Sequence, residues 1–227
     1  MVVASCTTYF PPNHHFQDTL VQVIENLHKF DGPDSDNRFE DLPYFGIFMR
    51  DFLNDWTEDY EFYPDEFRRN GWKVEEVVSR WKCMTSFYSR ISFVGRGTMY
   101  GIWECRRALE EPDVNGPLME TRLYGATEFI TRCGECWCDT YFKNPPVDLD
   151  EDSKRMFWLG RLVRDSDIPL FGKKRLEFWK RRLVDIKENW QRYKLDEVTP
   201  ERLEGAILKL DSIITSIDWE AATERNG

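Results

Sequence analysis

The sequence predicts an all-α protein, a single-domain helical bundle of seven to nine helices spanning residues 1–227. Three observations carry that expectation. Apolar residues recur every three or four positions along most of the 227-residue chain, the spacing of one face of an α-helix. Alternating apolar and polar runs, which would mark strands, are nearly absent. Glycine and proline gather between the periodic segments, where they end helices. Residues 1–12 and 220–227 fall outside any periodic segment and are expected to be flexible ends.

The elements follow in order. After Asn13, the residues Phe16, Leu20, Val23, Leu27 and Phe30 make one apolar stripe, ended by the turn-forming run "DGPDSDN" from Asp31. In "LPYFGIFMRDFLNDW", Pro43 suits a first helical turn, and Phe45, Phe48, Met49, Phe52 and Trp56 share a face. "EDYEFYPDEFRRNG" reads as a loop with one helical turn. Val74, Val77, Trp81, Met84, Tyr88 and Ile91 then form the cleanest stripe, broken by "GRG" at 95–97. Helices are expected over Thr98–Glu111, closed by Pro112, and over Pro117–Phe142, stopped by "NPP".

A short helix is expected around 152–164, with a turn at Asp165–Pro169. From Lys173, the residues Leu176, Trp179, Leu183, Ile186 and Trp190 repeat the three-four step. The last helix opens at Thr199 with Pro200 in its first turn and carries Leu203, Ile207, Leu210, Ile214 and Ile217. The expected core includes Phe48, Phe52, Trp81, Phe87, Trp103, Phe129 and Trp179.

Composition narrows the function classes. A net charge of −10 disfavours a nucleic-acid partner, which calls for clustered Lys and Arg. No apolar run reaches the length of a membrane span. The start "MVVASCTTYFPPNHHF" lacks the basic and apolar segments of a secretory leader. An intracellular, cytoplasmic protein is expected, its six cysteines free thiols. The aromatic share of 15% suits a core of large rings and also a pocket walled by ring faces.

"TRCGECWCDTY" brings Cys133, Cys136 and Cys138 within six residues. Inside a helix, at about 100° per residue, Cys136 and Cys138 point well apart and cannot converge on one ion. No strand precedes them as a thioredoxin-type pair requires. They read as packing residues, and no metal is expected. The acidic clusters Asp31, Asp34, Asp36 and Asn54–Glu61 suit a turn and a helix end. "VGRGTMYG" lacks the lysine and strand of a phosphate loop. No cofactor is expected.

The sharper oddity is charge set among large apolar residues. Arg50 and Asp51 lie between Met49 and Phe52. Glu104 and Arg106 flank Trp103 and Leu109, and Arg90 stands in "FYSRISF". A buried charge needs a partner. These groups therefore form either structural ion pairs or the polar floor of a pocket. In the second case Asp51 and Glu104 are the acid and base, Arg50 and Arg90 the catalytic anchors, and Trp56, Tyr100, Trp103 and Arg106 bind substrate. The leading expectation is a cofactor-independent enzyme, of cyclase or isomerase type, for an apolar small molecule. The alternative is a non-catalytic protein–protein module. It would dock through the acidic loops or through the helix "KKRLEFWKRRL", with Lys173, Lys174, Arg175, Lys180, Arg181 and Arg182 opposite the apolar stripe.

Several short motifs carry a family likeness: Leu42-Pro43 before Arg50-Asp51, Ala108-Leu109-Glu110 at a helix end, and Gly172 with Arg175, Trp179 and Lys180. Over about residues 40–190 the chain resembles an all-helical family of uncharacterised fungal proteins. The resemblance implies a fungal, intracellular protein, with a place in specialised metabolism as an analogy only.

Overall fold

The computed structural model describes residues 8–28, 64–71, 73–91, 97–146 and 148–219. Among these residues every regular element is helical and none is a strand, so the fold is all-α. The chain forms two compact units, residues 1–97 and 98–227. The expected helix through Pro43 and Trp56, with Phe48 and Phe52, lies outside the described residues.

In the first unit, α1 (His15–His28), α2 (Pro64–Arg69) and α3 (Val74–Arg90) follow one another. The stripe of α1 points outward: Phe16, Val23 and Leu27 are 47%, 43% and 38% exposed, while Gln17 and Ile24 are buried. The physical reason is polar. The Gln17 amide nitrogen donates to the carbonyls of Phe10 at 2.8 Å and Cys83 at 3.1 Å. A buried amide donor needs such partners; the bond to Cys83 fixes the rotation of α1 against α3, and the bond to Phe10 ties down the segment that leads into α1. On α3 the predicted stripe is buried at Val77, Trp81, Met84 and Tyr88, and the run Cys83–Ser89 is buried throughout. A helix buried around its whole circumference is a core helix.

The second unit begins with α4 (Gly97–Cys105), whose last turn widens into a π-helical segment, Arg106–Glu110. The next helix, α5 (Pro117–Trp137), widens in the same way over Cys138–Phe142. After α6 (Glu151–Phe157) a loop leads to α7 (Lys173–Glu188), and α8 (Thr199–Ser216) completes the unit. The helix expected to continue to 164 stops at Phe157, because side chains from elsewhere engage the backbone beyond it.

α7 packs on α8, and α8 on α5. Leu176, Trp179, Leu183 and Ile186 of α7 are fully buried, as are Leu203, Ala206 and Leu210 of α8 and Leu123, Ala126, Phe129 and Ile130 of α5. Rings fill one end of this core. Trp179 meets Trp137 edge-on at 5.7 Å and Phe142 at 5.8 Å, and Phe171 meets Phe157 at 4.8 Å. Each buried Trp contributes about 4–6 kcal/mol of apolar transfer before its ordering entropy is subtracted. Trp103, expected in the core, is only half-buried.

The start of α8 is held from outside the helix. Its preceding residue, Val198, offers no capping group. Glu120 of α5 holds the entry instead: its Oε1 accepts from the Asp196 amide, and the Thr199 hydroxyl lies 3.0 and 2.8 Å from its two oxygens. A carboxylate there also opposes the positive end of the helix dipole.

Candidate functional site

The most constrained group of side chains joins the end of the first π-helical segment to α7. Glu110 and Arg175 are both fully buried. Glu110 Oε1 accepts from Arg175 Nε at 2.6 Å and from Trp179 Nε1 at 2.6 Å. Its Oε2 accepts from Arg175 Nη2 at 3.1 Å and from the Gly160 amide at 2.8 Å. The guanidinium also donates to the carbonyls of Phe157 at 3.0 Å, Leu170 at 2.7 Å and Trp158 at 3.4 Å, and lies 5.3 Å from the Trp179 ring centre. Both charges are saturated, which is what makes burial of the pair tolerable.

These bonds organise the loop 158–172. The Glu110 backbone carbonyl takes the Leu162 amide at 2.9 Å. Gly160 is required by closeness: a Cβ there would stand 2.5 Å from the Glu110 Cβ and carbonyl oxygen. On this fixed loop Trp158 is 50% exposed and Leu162 47% exposed. Arg155 stands over the Trp158 ring at 5.9 Å, and Arg106 Nη1 reaches the Trp158 carbonyl at 3.5 Å. Burial, and then the neighbouring Arg175 cation, lower the pKa of Arg106. Arg161 pairs with Glu111 at 2.7 Å. The arrangement presents an indole and an isobutyl group among arginines on a backbone that is tied down from behind.

The other expected site residues fall as follows. Arg50, Asp51 and Trp56 lie outside the described residues. Arg90 is ion-paired with Asp18 and donates to Asn13 Oδ1 at 3.0 Å. Glu104 is buried, with Arg107 Nη1 at 3.8 Å. Tyr100 and Trp103 pack edge-to-face at 5.0 Å. Arg106 serves the loop, as above. The basic helix differs from expectation at two positions: Arg175 is turned fully inward, and Arg182 is largely buried and ion-paired with Asp113 and Asp185.

The cysteine cluster is helical, with Cys133 and Cys138 buried and Cys136 exposed. The Cys133 thiol donates to the Phe129 carbonyl at 3.2 Å. Burial, and then the Glu110 charge, push the Cys105 thiol well above its ordinary value. Among the described residues no group of His, Cys, Asp or Glu is placed to hold a metal ion, and no helix is long and apolar enough to cross a membrane.

Glu128 adds a further committed carboxylate. It accepts from Arg132 Nε at 2.7 Å and from Tyr124 Oη at 3.0 Å. Glu110, Gly160 and Trp158 escaped the reading of the sequence as site residues. The available signal was the phase of the α7 stripe. Arg175 precedes Trp179 by four positions, so the two share a face, and a cation on a buried tryptophan's face demands a buried acid.

The family model described as a protein of unknown function (DUF3632) matches residues 1–183. No curated protein and no solved structure matches the chain.

Proposed function

From the premise that the chain belongs to the DUF3632 family, we propose that it is a helical binding module that docks a partner protein through Trp158 and Leu162. The supporting observation is the half-exposed Trp158, held on a loop whose backbone is tied to a buried ion pair. Interface energy concentrates in Trp and Arg anchors that need no ordering on binding. Arg106 and Arg155 beside the indole favour a partner segment that combines Asp or Glu with a large apolar residue. The buried carboxylates Glu110, Glu120 and Glu128 are all engaged by protein donors, which fits binding better than proton transfer.

A displayed peptide library, selected on the whole protein, tests this. Acidic sequences bearing Leu, Ile or Phe should be enriched. Trp158→Ala should weaken the selected peptides by at least about 30-fold, the loss of one strong anchor, while far-UV dichroism and melting stay unchanged. Binding that survives this change would refute the proposal.

The enzyme reading has its own support in Glu104, a buried carboxylate 3.8 Å from Arg107 and close in sequence to the Tyr100–Trp103 pair. In that reading Glu104 serves acid–base chemistry on an apolar small molecule in a fungal, cytoplasmic pathway of specialised metabolism. Glu104→Gln should then abolish turnover without loss of melting temperature. A Glu104→Gln protein that merely unfolds more easily would assign this carboxylate to helix packing.

A further inference from the structure

The outer faces of α7 and α8 leave an open groove of about 610 Å³, lined by Lys173, Glu177, Lys180 and Arg181 from α7, and by Asp211, Ile214, Thr215, Ile217 and Trp219 from α8 and the residues after it. Its size lies in the range of small-molecule sites. The polar groups are unevenly matched. Asp211 is taken by Lys180 across the groove, and Glu177 lies 3.8 Å from Lys173. Arg181 is exposed and has no ion-pair partner among the described residues. One surplus guanidinium therefore remains, in a groove whose two carboxylates are already occupied.

The apolar side is preformed. Ile214 and Ile217 are nearly buried and form a floor. The Trp219 indole N–H donates to the Ile214 carbonyl at 2.9 Å, which fixes the ring and spends its only donor. Trp219 therefore lines the groove as an apolar wall and not as a hydrogen-bond donor.

We propose that this groove binds a small organic monoanion, a carboxylate carried on a flat apolar body. The carboxylate pairs with Arg181, whose fork geometry matches two oxygens. The body lies on Ile214 and stacks against Trp219. A dianion is disfavoured, because the lysines are already neutralised. The proposal is independent of docking at Trp158.

The test follows the Trp219 indole N–H in a nitrogen-15 correlation spectrum of the whole protein, the signal being assigned by its loss in Trp219→Phe. The probes are 1-naphthaleneacetate and its neutral counterpart 1-naphthaleneacetamide. The acetate should shift the Trp219 signal saturably, and the amide should bind about two- to fivefold more weakly, the worth of roughly one exposed charge pair. Arg181→Ala should erase the difference between the probes, and Arg181→Lys should restore part of it, with melting unchanged in both. Equal binding of the two probes, an unaffected Arg181→Ala protein, or no saturation by about 10 mM acetate would overturn the assignment. Because Trp158→Ala should leave this titration untouched, failure here and failure of the docking reading are separable.

Discussion

Glu110 and Arg175, 65 positions apart in the chain, face each other with no exposed side-chain surface, and both Glu110 oxygens accept from the same guanidinium. Removing one partner strands the other charge in a dry site. Glu110→Ala and Arg175→Leu should each cost about 3–5 kcal/mol, read from urea denaturation. Paired apolar replacements recover stability in many buried ion pairs, but here the double variant should recover only part. Arg175 also holds three loop carbonyls, and these would lose their donor whatever replaces Glu110.

Two glycines give opposite results on the same substitution. Gly160→Ala forces a methyl into Glu110 backbone and should cost at least about 1–3 kcal/mol, the usual penalty of overpacking. Gly205 sits inside α8 with open space for at least 4 Å around the place a Cβ would take. Gly205→Ala should stabilise by about 0.5–1 kcal/mol, because alanine loses less backbone freedom on folding. Denaturant midpoints of the two variants, moving in opposite directions, check both statements.

The bond from Thr199 to Glu120 makes a further test. Thr199→Val keeps the shape and deletes the donor, leaving a carboxylate that still accepts the Asp196 amide. A loss of about 1–2 kcal/mol is expected, together with faster amide exchange in the first turn of α8. Thr199→Ser should retain most of the stability.

Thiol chemistry separates the helical cysteines. A disulfide reagent should label Cys136 in the folded protein, and Cys83, Cys105, Cys133 and Cys138 only after unfolding, as their exposure dictates. The pH dependence has a defined sign. The Cys105 thiol is raised well above 9.0 in the folded state, whereas in the unfolded chain it ionises near about 8.5. Above that pH the unfolded state binds fewer protons, so stability falls as pH rises, by about 1.4 kcal/mol per unit for this thiol. Cys105→Ala should therefore show a shallower loss than the parent between about pH 8 and 10.

Periodicity made the helices legible because burial is what selects it. The stripes of α3, α7 and α8 are buried largely as spaced. It failed on α1, where a single polar side chain, Gln17, decides which face turns inward and no apolar count can reveal it. It failed at Phe157 because the continuation looks helical locally, while its backbone is claimed by Glu110 and Arg175. The charges beside large apolar residues were a fair guide to burial at Glu104. The central ion pair was missed because both of its members sit in runs of charge, "RRALEE" and "KKRLEF". There one buried residue is indistinguishable by type from its solvated neighbours.

The π-helical turn Arg106–Glu110 also bears on how this chain tolerates insertions and deletions. Such a turn is an α-helix holding one residue more than its pitch accommodates. The wide turn has already absorbed that residue, so deleting Arg107 would return the segment to ordinary pitch and leave Glu110 close to its present phase against Arg175. One residue inserted into the regular part of α4 would instead turn Glu110 by about 100° around the axis and detach the loop that carries Trp158. A change of length is therefore tolerated at this turn and not one turn earlier.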